Sequence, residues 1–154
     1  MEVILALGGN RGDVGDTLNR VEVLLAERVG PVLARSRDHV TAPDGFSDDQ
    51  LFLNRAVRVR TSLDLHAVLA ECSAIETALG RTREHQGPGP RTVDIDLVLA
   101  GEHIVDEPGL TVPHPRMHLR YFVLSPVADI APDHVHPLLQ RTVLDLLNDV
   151  KQRG

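Results

Sequence analysis

Among 154 residues there is one cysteine, Cys72, and one lysine, Lys151. A lone thiol forms no internal disulfide and builds no thiolate cage for zinc. Cys72 shares helical spacing with Leu65, Val68, Leu69, Ile75 and Leu79, so it reads as part of a buried apolar stripe rather than as a nucleophile. The other fifteen cations are arginines, and no glycine-rich loop carries a lysine, which excludes a Walker-type phosphate loop. Aromatic residues are as scarce: Phe46, Phe52, Tyr121 and Phe122, with no tryptophan. No apolar run approaches the roughly 20 residues a membrane helix needs. The start, MEVILALGG, lacks the basic opening and the longer apolar core of a signal peptide. The expectation is a cytoplasmic protein with no membrane partner. The net charge is 16 − 22 = −6, which argues against general nucleic-acid binding. A polyanionic substrate would need a local basic pocket.

What remains is ordinary globular composition, 42% hydrophobic and 25% charged, in a length that suits one domain over residues 1–154. Residues 2–8 read as a buried strand ending in glycine, and 8–13 as a turn. A helix follows through Val14, Leu18, Val21 and Leu25 and stops at Gly30-Pro31. Residues 32–40 form a second strand with mixed alternation, and 41–50 a long loop rich in Pro, Gly, Ser and Asp. From Phe52 to Thr61 the chain alternates, with Leu53, Val57 and Val59 on one face and Phe52, Asn54 and Ala56 on the other. A helix spans about Asp64 to Leu79, stopped by Gly80. Val93 to Ala100 is a strand, and Gly101-Glu102 turns it into a hairpin with His103 to Val105. Loop follows to about 119, then a short apolar segment and a last helix from Thr142 to about Val150. The order strand–helix–strand–strand–helix–strand is the ferredoxin-like pattern. The fold class is therefore α+β: a βαββαβ core with an antiparallel sheet, two helices on one face, and a C-terminal hairpin and helices that complete αβα layers.

The sharpest chemical signal is GPRTVDIDLV at 89–98. Strand side chains alternate, so Asp94 and Asp96 share one face while Val93, Ile95 and Leu97 enter the core. Two carboxylates about 7 Å apart on such a strand repel each other, and a hard cation bound together with phosphate oxygens relieves that repulsion. A solvated strand face gives the same acidic alternation; Arg91 and the preceding Gly/Pro turn favour the metal pair. Arg81, Arg83 and Arg91 offer planar forks suited to phosphate, although arginines just past a helix end also complement its dipole. His114 and Arg120 lie in a stretch with prolines at 108, 113 and 115. Phe52 and Asn54 share a strand face, where a flat ring could stack on one and hydrogen-bond the other; Phe52 as plain core is the competing reading.

These motifs, in this order, resemble the 6-hydroxymethyl-7,8-dihydropterin pyrophosphokinases of folate biosynthesis, over nearly the whole chain. The resemblance is carried by GGN at 8–10, TAP at 41–43, FLN at 52–54, IE at 75–76, GRTR at 80–83, PRTVDIDL at 90–97 and LTVPH at 110–114. It implies that Asp94 and Asp96 hold two magnesium ions on ATP, and that Arg81 and Arg91 stabilise the transferring pyrophosphoryl group. It further implies nucleotide contacts from Glu76, Arg83, His114 and Arg120. The pterin would lie between Phe52 and Phe122, with its edge on Thr41 and Asn54. ATP and the pterin alcohol would be the substrates, with AMP leaving, and no nucleic acid or obligate protein partner is implied. The chain departs from the family pattern at Gln86, Gly87 and Pro88, where a basic residue and often an aromatic precede Gly-Pro-Arg. Gly109, Pro115 and Phe52 are further departures. The rivals are a binding module on the same fold that has lost transfer, and a metal phosphohydrolase, for which no activating base is visible.

Overall fold

A computed structural model describes residues 1–10, 12–41, 52–80 and 93–153. The chain order is β1 (Glu2–Gly9), α1 (Val14–Arg28), β2 (Val32–Arg35), β3 (His39–Thr41), β4 (Phe52–Arg60), α2 (Leu65–Ala78), β5 (Asp94–Leu99), β6 (Val105–Glu107), β7 (Leu110–Val112), α3 (Tyr121–Ile130) and α4 (Val143–Arg153). A 3-10 turn, Met117–Leu119, precedes α3.

The main sheet runs β2-β4-β1-β5, with β3 also paired to β4, and every pairing is antiparallel. That is the ferredoxin-like strand order expected from the sequence. β1 lies in the middle because both its faces are apolar: Val3, Leu5 and Leu7 enter one core, Ile4 and Ala6 the other. The first core holds Leu18, Val21 and Leu25 of α1 and Val68, Cys72 and Ile75 of α2. The second holds Val123, Leu124 and Val127 of α3 and Val143, Leu146 and Leu147 of α4. Helices therefore cover both faces of the sheet.

Local chemistry sets the element ends. Asp13 and Asp64 cap α1 and α2, accepting N–H bonds from Asp16 and Ala67. At Gly30, φ is +155°, and a β-carbon there would lie 1.8 Å from the Arg60 carbonyl oxygen, so only glycine lets α1 pass so close to β4.

Three expectations are corrected. Residues 32–40 are two short strands, not one, because Ser36 interrupts the ladder: its N–H bonds Ala56 O while its hydroxyl accepts the Ala56 N–H. The hairpin does not pair 93–100 with 103–105. Gly101 closes only one turn, His103 N–H to Ala100 O, and the two-stranded ribbon is β6 with β7, anchored by buried Leu110 and Val112. The stretch before 119 thus contains two strands and a 3-10 turn where loop was expected. The apolar segment that follows is a ten-residue helix, α3, which carries Pro126 inside it.

Candidate functional site

The site begins with register. Asp94 pairs with Gly8, Gly8 with Asn54, and Asn54 with His39, so these four residues form one row across the sheet on the face that carries α3. Asp96 occupies the next row, opposite Ala6, and Thr41 pairs with Phe52. Both aspartates are half-buried, while Val93, Ile95 and Leu97 between and beside them are buried in the first core. The alternation expected of this strand holds.

Gly8 leaves a gap in the row. A β-carbon there would meet Asn54 Oδ1 at 3.1 Å and the Leu53 carbonyl at 3.4 Å. Asn54 is buried, and its amide donates to Thr41 Oγ1 at 2.9 Å and to the His39 carbonyl at 3.4 Å. Its oxygen thereby faces Gly8, an acceptor presented to the gap between Asn54 and Asp94. Asn54, singled out by strand alternation, and Thr41, which only the family resemblance pointed to, form one hydrogen-bonded unit.

The other wall comes from α3 and the turn before it. Phe122 packs beside the second core, and the Arg120 guanidinium lies 5.5 Å from its ring centroid. His114 is tied to the aspartate strand through its N–H to Val98 O at 2.9 Å, and its Nδ1 accepts the Arg116 N–H at 3.1 Å. Burial, then the charges of Arg120 and Arg116, push the His114 pKa below its ordinary value. A neutral imidazole between two arginines donates or accepts hydrogen bonds without adding to local positive charge. The Val112–Pro113 peptide just before it is cis.

Glu76 sits under β5. It is buried on α2, and its Oε2 accepts the Ile95 N–H at 2.8 Å. Arg81, Arg83 and Arg91, and the 41–50 and 86–90 loops apart from Thr41, lie outside the described residues.

Sequence reasoning missed Arg55. It follows Asn54 on β4, points into the first core at 6% exposure, and bonds Glu22, Asn19 and Asp38 at 2.7–2.8 Å. The signal was a charged residue inside an otherwise apolar strand face, matched by Glu22 on the apolar face of α1.

Among the described residues no cluster of three or more His, Cys, Asp or Glu could enclose a metal. Two half-exposed carboxylates on one strand face are a partial ligand set of hard oxygens. That fits magnesium, which keeps waters and shares phosphate oxygens, better than a cation needing an all-protein cage. Among the described residues no helix is long and apolar enough to cross a membrane.

Known proteins resemble this chain in sequence and in fold. The family model for 7,8-dihydro-6-hydroxymethylpterin-pyrophosphokinase matches residues 4–132. A 2-amino-4-hydroxy-6-hydroxymethyldihydropteridine pyrophosphokinase of Methylorubrum extorquens is 47% identical over 133 residues, covering 85% of this chain and 83% of that protein. One of the same name from Bacillus subtilis is 41% identical over 127 residues, 82% of this chain and 75% of that protein. Among solved structures, wild-type Plasmodium falciparum HPPK-DHPS with pteroate superposes with a TM-score of 0.82 at 15% identity. The match spans 99% of this chain and 44% of that longer one, and at such identity it speaks to the fold alone. The chain belongs to the 7,8-dihydro-6-hydroxymethylpterin-pyrophosphokinase family.

Proposed function

We propose that this protein transfers the pyrophosphoryl group of ATP to the hydroxymethyl group of 6-hydroxymethyl-7,8-dihydropterin, giving AMP and the pterin pyrophosphate. The observation that carries the reading is the shared sheet face: the Asp94/Asp96 pair stands across Gly8 from the Asn54–Thr41 unit, in a chain of this family. One end of the row suits a phosphate-bound cation, the other the hydrogen-bonding edge of a flat ring.

In this reading the pterin ring stacks between Phe52 and Phe122, and its amide-like edge donates to Asn54 Oδ1 with Thr41 beside it. Arg81 and Arg91 neutralise the transferring group, while Arg83, His114 and Arg120 hold the nucleotide and its phosphates. Glu76 serves the nucleotide end by fixing the backbone of the aspartate strand. Asp94 and Asp96 would hold the two magnesium ions, which when bound would supply charge neutralisation for the group being transferred. The protein's share is placement. Asn54, Thr41 and the two rings fix the alcohol oxygen in line with the phosphorus, so no dedicated general base is needed.

The test is nucleotide analysis after incubation with ATP, magnesium and the pterin alcohol. AMP forms only when the pterin is present; formation of ADP, or ATP loss without pterin, contradicts the reading. Asp96→Ala should lower turnover by about 10²–10³ while leaving the unfolding midpoint nearly unchanged.

A further inference from the structure

The two walls of the proposed pterin slot are joined by a polar clasp that takes no part in the chemistry. His39 on β3 contacts α3 through both ring nitrogens: Nδ1 lies 3.0 Å from Ser125 Oγ, and Nε2 lies 2.8 Å from Asp129 Oδ2. Asp129 also receives the Arg37 backbone N–H at 3.1 Å and the Arg37 fork at 3.2 and 3.3 Å. Burial alone would raise the Asp129 carboxyl, but the hydrogen bonds from Arg37 and His39 outweigh it and hold the group below its ordinary range. An ionised carboxylate only accepts, so Nε2 donates to Asp129, and Nδ1 shares a hydrogen bond with the Ser125 hydroxyl, which can serve as donor or acceptor.

We propose that His39 is a positioning residue that sets the width of the pterin slot by clasping β3 to α3. On β3, His39 and Thr41 share a face, and His39 pairs with Asn54 and accepts its amide through the carbonyl. On α3, Phe122, Ser125 and Asp129 are three and four residues apart and share one helix face. The side chains that grip the ring edge and the ring that stacks on it therefore stand on two elements, and the clasp ties those elements together one step behind the slot. The order Ser–His–Asp is also that of a hydrolase relay, but Ser125 is 7% exposed within a packed helix, where no substrate carbonyl reaches its oxygen. Here the three residues fix a distance.

The proposal rests on the pterin reading above, and its test separates the two. Steady-state constants for ATP and the pterin alcohol are measured for the wild type, His39→Ala, His39→Gln, Ser125→Ala and the His39→Ala/Ser125→Ala double variant, with unfolding midpoints alongside. The clasp predicts a pterin KM raised about five- to tenfold in His39→Ala, with ATP KM and kcat changed less than about twofold. His39→Gln, which restores a donor to Asp129, recovers part of the pterin KM. The double variant is no worse than His39→Ala, because both substitutions cut one chain. A pterin KM unchanged in both His39→Ala and Ser125→Ala overturns the clasp while leaving the reaction intact. So does a rise in both KM values that follows the unfolding midpoint and is not rescued by glutamine. A wild type that consumes no ATP with the pterin overturns the functional reading, and the clasp's role with it.

Discussion

Glu76 on α2 accepts the Ile95 N–H of β5 at 2.8 Å, and both residues are buried. β5 is the last strand in the sheet order, paired on one side by β1, so this carboxylate covers a backbone donor on its open side. Glu76→Ala should cost about 1–3 kcal/mol in urea unfolding, the penalty for a buried donor left unmade. Glu76→Gln keeps a carbonyl acceptor and should lose less than about 1 kcal/mol. An alanine variant as stable as the wild type would show that the bond does not hold the strand.

Arg55 and Glu22 form a buried ion pair at 2.7 Å, each side chain 6% exposed, with Arg35 on the second Glu22 oxygen and Asp38 on the far side of the guanidinium. Removing one partner leaves the other buried and uncompensated, which typically costs about 3–5 kcal/mol. Arg55→Met should fall near the lower end, since Arg35 still reaches Glu22. The Arg55→Met/Glu22→Leu double variant should be more stable than the sum of its two single changes predicts. Strict additivity in chemical denaturation would contradict the coupling.

These two networks also mark what the sequence does and does not disclose. Asp94 and Asp96 were legible because strand alternation alone puts them on one face, whereas Thr41 was named only through the family resemblance and its bond to Asn54 was not foreseen. The helix ends at Asp64 and Gly30 were legible because capping and glycine chemistry are local. Arg55 was not, because its partners lie on α1 and the β2–β3 bend, and a charge on a core face is sensible only once Glu22 is known to face it. The β6–β7 ribbon escaped because three residues per strand are too few to show a period. The break at Ser36 escaped because a hydroxyl there stands in for a backbone acceptor, which no alternation rule expresses.

Cys72 should be inert in the folded protein. Burial first, then the nearby charges of Glu76, Glu71 and Asp96, push its thiol up to about 12. Against an ordinary thiol that lowers the thiolate fraction by about 10³. An aromatic disulfide reagent at pH 8 should modify one thiol rapidly in strong denaturant and only very slowly in buffer. Equal rates in the two conditions would contradict the burial.

His136 should make stability fall with acid. It is 3% exposed, and its Nδ1 accepts the N–H groups of Leu138 and Leu139 at 3.2 and 3.1 Å. Burial, then the charges of His118 and His134, lower its pKa from 6.5. The unfolded chain therefore takes up this proton first as pH falls. The stabilisation is complete above about 6.5 and is lost as pH drops from there toward the lowered folded value. His136→Asn keeps an acceptor without the titration, so its stability should change less between pH 7 and pH 5. Parallel profiles for the two proteins would contradict the assignment.

The central claim, that the row from Asp94 through Gly8 to Asn54 joins a phosphate site to a pterin site, is tested most directly by phosphorus NMR of one reaction. ATP, magnesium and the pterin alcohol should give an AMP singlet and two coupled diphosphate resonances in equal amounts, with both absent when the pterin or the magnesium is withheld. ADP, inorganic phosphate formed without the pterin, or an unchanged ATP spectrum would contradict it.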